Sequence, residues 1–140
     1  MAQKIVVDSS VIVKWLNTTD ENNLEEADKL LSDALKNRIE IFAPELAKYE
    51  VGNVLLHGKK LSPKETEIPF HVLFVSPTQF IPQSEELAKE TFKIACDLGI
   101  TYYDASFLSV AQQLGASLVT DNIKHQGKTK KIKVVCLKDY

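Results

Sequence analysis

Cysteine is scarce. Cys96 and Cys136 are the only two in the chain, and no Cys-x-x-Cys spacing relates them, so neither a disulfide framework nor a zinc site has support. Long apolar runs are missing as well; none approaches the ~18 residues of a membrane span. Met1 to Lys4 runs straight into Ile5-Val6-Val7, without the charged and then apolar pattern of a signal peptide. Histidine is thin and scattered, at His57, His71 and His125. Neither charge dominates: 17 Lys plus Arg against 19 Asp plus Glu leave a formal net charge of -2. That argues against a strongly basic nucleic-acid binder. It leaves room for an enzyme that gathers acids in one place and bases in another. Together these absences lead to the expectation of a cytoplasmic protein with no membrane segment.

What remains is an ordinary globular composition. The 140 residues, 44% of them hydrophobic, suit one domain over 1–140. No internal repeat, linker or low-complexity tract interrupts it. Ile5-Val6-Val7 reads as a short buried strand. Ser9-Ser10 opens a helix with Val11, Ile12, Trp15 and Leu16 on one face. An amphipathic helix is predicted from Leu24 to Lys36, and a strand from Ile39 to Ala43. Pro44 is placed at the first position of the next helix, which runs to about His57 or Gly58. Ser62, with Glu65 three residues on, marks another start, and Pro69 is expected to limit or kink that helix. A short edge strand is expected within 72–82. Ser84 caps a helix that Gly99 ends, and Tyr103 to Leu114 forms one that Gly115 ends. Ser117–Thr120 and Lys133–Leu137 are the last strands. Strands alternating with helices predict a three-layer α/β/α arrangement around a mostly parallel sheet of four to five strands.

Four acids stand out because each lies within or at the end of an apolar element, where a lone carboxylate is costly. Asp8 and Asp121 follow predicted strands, at the sheet edge where open parallel sheets bind ligands. An ordinary capping role at a strand end is the alternative for Asp8. Asp104 lies three and four residues before Phe107 and Leu108, on the face of its helix that meets the sheet; it also suits a first helical turn capped by Thr101. Glu50 borders a buried side marked by Ala47, Val51, Val54 and Leu55, unless it pairs at the surface with Lys48 or Lys59. Acids gathered within ~4–6 Å of one another call for a cation, and an all-oxygen set suits Mg²⁺ or Mn²⁺. Ser9 and Ser10 have no histidine base at hand, which disfavours a serine nucleophile.

Val6-Val7-Asp8-Ser9-Ser10-Val11, Pro44-Glu45-Leu46 through Glu50-Val51-Gly52-Asn53-Val54-Leu55, Tyr103-Asp104-Ala105-Ser106-Phe107-Leu108 and Leu118-Val119-Thr120-Asp121 occur in an order and spacing that resemble the PIN-domain family. The likeness is greatest to the small VapC-type toxin ribonucleases, and it spans nearly the whole chain. The resemblance implies an acidic site of Asp8, Glu50 and Asp104, with a fourth acidic group near Asp121. Ser10 would help order the site, and Asn53 would be a polar neighbour of the substrate. It also implies metal-dependent cleavage of RNA, a homodimer, and inhibition by a small antitoxin protein. One position departs: many members carry their last Asp two residues after the strand Thr, where this chain has Asn122. Asp121 is therefore preferred as the participant, with Asn122 able to offer only an uncharged oxygen.

The expected mechanism has Asp8, Asp104 and Asp121 holding one or two ions, with Glu50 joining directly or through water. Lys124, Lys128 and Lys130, followed by Lys131 and Lys133, would supply a basic arm for the phosphate backbone; a solvated loop beside an edge strand is the alternative. Trp15 and Tyr102-Tyr103 could stack on bases, although packing explains them as well. Two rival classes remain: a receiver-type phosphoacceptor domain, and a noncatalytic PIN-like scaffold that binds RNA or protein.

Overall fold

The computed structural model of the chain describes residues 2–123, 127 and 129–140. Five strands, β1 (Gln3–Val7), β2 (Ile39–Pro44), β3 (Thr78–Ile81), β4 (Ser117–Thr120) and β5 (Val134–Cys136), form one sheet in the order β3-β2-β1-β4-β5. Every pairing is parallel. Among the described residues, six α-helices accompany them: α1 (Ser9–Leu16), α2 (Leu24–Leu35), α3 (Leu46–Asn53), α4 (Glu67–Val75), α5 (Glu85–Leu98) and α6 (Tyr102–Leu114). A π-helical turn over Val54–Gly58 extends α3, and a 3₁₀ turn over Lys64–Thr66 precedes α4. α1 packs on α2, α3 and α4; α5 packs on α6, which lies against β1, β2 and β4. The result is the expected α/β/α sandwich around a parallel sheet.

The strands at the centre are buried through hydrophobicity on both faces, as parallel sheets require. Ile5, Val6 and Val7 of β1 are fully covered, as are Ile41 and Ala43 of β2 and Leu118 and Val119 of β4. Helix ends follow local rules. Ser84 Oγ accepts the N–H of Leu87 at 3.1 Å, and Thr101 Oγ1 accepts that of Asp104 at 3.0 Å. Gly99 and Gly115 take left-handed φ of 64° and 63° just past α5 and α6, a conformation that glycine adopts without steric cost. Ser62 and Glu65 form a reciprocal capping box at 3.3 and 2.9 Å.

Two expectations about proline change. Pro44 is not the first residue of a helix; it closes β2 in register with Ile81. A missing N–H is as harmless at the end of a strand as in a first helical turn. Pro69 does not break its helix, because it falls in the first turn of α4, where no i−4 acceptor is needed. The ambiguous 72–82 stretch divides into the end of α4 and the edge strand β3, so Phe74-Val75 are helical and Phe80-Ile81 are in the strand.

Chain order sets the location of the site. β1 leads outward through β2 to β3, and the chain then returns to place β4 on the other side of β1. The carboxyl ends of β1 and β4 therefore flank a point where the winding reverses, and such a point leaves a crevice for a ligand.

Candidate acidic active site

Asp8 leaves β1 at that crevice. Its backbone N–H donates to Val119 O at 3.0 Å, which ties it to β4. Its Oδ2 accepts two hydroxyls, from Ser10 at 2.9 Å and from Thr120 at 2.8 Å. Each hydroxyl oxygen is fixed in turn from the β4 side: Ser10 Oγ accepts the N–H of Asp121 at 3.2 Å, and Thr120 Oγ1 accepts the N–H of Asn122 at 3.1 Å. The chain after β4 thus aims two donors at one carboxylate oxygen.

Glu50 comes from α3. Neither proposed lysine pairs with it: Lys48 holds Glu45 at 3.0 Å, and Lys59 holds Glu21 at 2.6 Å. Instead Ser9 Oγ donates to Glu50 Oε1 at 2.7 Å. Consecutive serines at the start of α1 therefore serve different acids, Ser9 on Glu50 and Ser10 on Asp8. Asp104 stands in the first turn of α6, half-buried, with Thr101 as its cap.

Electrostatics connect these three acids. Burial pushes the Asp8 carboxyl above its ordinary value, against the lowering effect of Thr120, Ser10 and the backbone of Ser9, and the charge of Asp104 adds to the rise. Burial also raises Glu50, against its bond from Ser9, with Asp8 and Asp104 contributing repulsion. Asp8, Glu50 and Asp104 thus share one negative field. Among the described residues, no group of three or more His, Cys, Asp or Glu side chains forms a ready cage for a metal. The donor chemistry still fits a hard divalent ion. Mg²⁺ commonly takes one or two carboxylates and keeps several of its waters, so an open set of acids suits a partly hydrated ion.

Asp121 is held differently. Its Oδ2 lies 3.1 Å from Lys14 Nζ, and its Oδ1 accepts Asn23 Nδ2 at 3.2 Å. Lys14 is 2% exposed and also donates to Glu21 Oε1 at 2.9 Å and Asn22 O at 2.7 Å. Burial pulls its ammonium down, but the bonds to Glu21 and Asp121 outweigh this and hold it above the usual lysine value. Lys14, Glu21 and Thr120 went unassigned in the sequence. The one available signal was Lys14 itself, a single charge inside Val11-Ile12-Val13-Lys14-Trp15-Leu16.

The remaining predicted residues lie in varied settings. Asn53 is exposed at the end of α3, and Asn122 is exposed after β4. Lys124 and Lys128 lie outside the described residues. Lys130 borders a cavity of about 200 Å³ with Lys93, Asp97, Leu98 and Gln112, near the far ends of α5 and α6. Gln112 lies about 12 Å of helix rise from Asp104. The reason is topological, because the chain must cross to the opposite sheet edge before a parallel β5 can begin; Leu118 N–H already bonds Lys133 O there. Trp15 donates its indole N–H to Ala27 O at 2.8 Å, a packing role between α1 and α2. No helix among the described residues is long and apolar enough to cross a membrane.

Known proteins share this fold. A family model described as the PIN domain matches residues 5–131. Ribonuclease VapC3 of Pyrobaculum aerophilum is 30% identical over 127 residues, covering 84% of this chain and 88% of that protein. Exonuclease VapC9 of the same organism is 29% identical over 96 residues, covering 69% and 72%. Among solved structures, PAE2754 from Pyrobaculum aerophilum superposes with a TM-score of 0.69 at 23% identity, covering 99% of this chain and 93% of that one. VapBC2 from Rickettsia felis, bound to a DNA fragment from its promoter, gives 0.70 at 20% identity, covering 96% and 98%. These matches displace the receiver-type alternative, whose lysine after the last strand would fall on Lys138, exposed here in a 3₁₀ turn. The chain belongs to the PIN-domain family, with VapC-type nucleases among its relatives.

Proposed function

We propose that the chain is a divalent-metal-dependent endoribonuclease, acting in the cytoplasm as the toxin of a toxin–antitoxin pair. The observation that carries this reading is that consecutive serines of α1 hold Glu50 and Asp8 at the switch point of the sheet, with Asp104 adding its charge to both. These three would hold Mg²⁺ or Mn²⁺, Glu50 either directly or through water. The ion would supply Lewis acidity toward the phosphate and an acidified water. The chain's own part is orientation. Ser10 and Thr120 fix the Asp8 carboxylate through Oδ2, and Ser9 fixes Glu50 through Oε1. Fixed acids need little rearrangement as charge develops on the phosphate oxygens.

RNA as substrate is supported by kinship with a ribonuclease. The homodimer and a small antitoxin partner follow from the VapC resemblance; a solved neighbour is itself described as a toxin–antitoxin complex from Klebsiella pneumoniae. A second reading, removal of nucleotides from an RNA end, draws on the relative named an exonuclease. A circular RNA incubated with the purified protein and Mn²⁺ separates the two. Linearisation by the parent, lost in Asp8→Asn, supports endonuclease action. Degradation of linear RNA alone supports the end-directed reading, and no cleavage of either favours a noncatalytic scaffold.

A further inference from the structure

Asp121 and Lys14 carry an inference that rests on the metal-site reading and narrows it. We propose that Lys14 is a positioning residue that serves as the built-in counter-ion of Asp121, so that Asp121 braces the site and only Asp8, Glu50 and Asp104 bind the divalent ion. The ammonium of Lys14 has three protons and three acceptors within reach: Glu21 Oε1, Asn22 O and Asp121 Oδ2. Its side chain is 1% exposed. It has no donor left for a phosphate, which sets it apart from a substrate-binding lysine.

Asp121 is equally committed. One oxygen meets Lys14 and the other meets Asn23. Among the described residues, neither Asp8 nor Glu50 is paired with a cation in this way; hydroxyl and backbone groups meet them instead. The charges run in alternation, Asp121 to Lys14 to Glu21 to Lys59, with the outer pair at 2.6 Å. For Asp121 to turn toward an ion, a buried ammonium would have to give up a partner. Its contribution to the site comes through the backbone instead: the Asp121 N–H holds Ser10 Oγ, and Ser10 donates to Asp8. Pinning the Asp121 side chain therefore fixes the donor that orients Asp8.

The test is calorimetric titration of Mn²⁺ into the parent and into Asp8→Asn, Asp104→Asn and Asp121→Asn. Asp8→Asn and Asp104→Asn are expected to weaken binding by about a hundredfold, as ligand charge is lost. Asp121→Asn is expected to stay within about threefold of the parent, because the charge it removes is already neutralised. Losses of equal size in Asp121→Asn and Asp104→Asn overturn this inference alone. A parent that binds no Mn²⁺ overturns the metal reading and this inference with it. Should Asp121→Asn fail to fold, the ¹⁵N–¹H signal of the Lys14 ammonium in the parent decides. It stays in place on saturation with Mg²⁺ if the ion pair persists, and a moved or vanished signal contradicts the inference.

Discussion

Replacing Lys14 with methionine removes a buried cation that joins α1, the 17–23 connection and the turn after β4. Three hydrogen bonds to Nζ disappear. Deleting one member of a buried ion pair costs about 3–5 kcal/mol. Two features place this substitution at the low end. Glu21 keeps Lys59 at 2.6 Å, and the Asp121 side chain is 29% exposed, so water can reach it. Methionine also replaces much of the buried aliphatic stem. A loss of about 3 kcal/mol follows. Unfolding entropy for a chain of this length is about 0.3 kcal/mol/K, so Tm should fall by about 10 °C. Scanning calorimetry in EDTA near neutral pH measures this without any contribution from metal binding. A fall of less than about 3 °C would refute the assignment of Lys14 as a buried counter-ion.

Three further outcomes follow from the same contacts. Asp8 has a raised carboxyl pKa, so folding is favoured by its protonated form, and stability is lost as pH rises from below its unfolded value of 3.8 through the folded one. In EDTA, Asp8→Asn should melt above the parent at pH 7, and the gap should close toward pH 4; a lower-melting variant at pH 7 contradicts this. Thr120→Val strips a fully buried hydroxyl from Asp8 Oδ2 and leaves the Asn122 N–H without that acceptor. Loss of such support should weaken Mn²⁺ binding by about 10–100-fold, read by titration, and unchanged binding counts against the orienting role. Lys130→Glu should leave RNA affinity and its salt dependence almost unaltered, because Lys130 borders the cavity at the far ends of α5 and α6. A clear drop in affinity would restore the basic-arm expectation.

Much of the architecture was legible because its signals are local. Ser84 with Gly99, and Thr101 with Gly115, bracket α5 and α6 through hydrogen bonds and left-handed turns confined to neighbouring residues. The strands at β1 and β4 announce themselves as apolar runs that need cover on both faces. Pro44 misled because one signal, a missing N–H, is compatible with two settings. The placement of Asp8 at a strand end, and of Glu50 and Asp104 on partly buried helix positions, was readable from the apolar pattern around them. Lys14 was not, since helical periodicity assigns it no partner. Its burial arises when residues 17–23 fold back over α1 and bring Glu21 and Asn22 to its ammonium. Lys130, the described member of the proposed basic arm, lies away from Asp104 for the converse reason. Nearness to Asp121 in sequence says little about Lys130, because β5 runs parallel to β4 and so begins at the opposite end of the sheet.

The central claim is that Asp8, Glu50 and Asp104 together hold a divalent ion at the crevice between β1 and β4. Anomalous diffraction from crystals soaked in Mn²⁺ tests it directly. The account predicts a peak bordered by these three carboxylates, with Asp121 still on Lys14. A peak elsewhere, or none in crystals of protein that binds Mn²⁺ in solution, would contradict it.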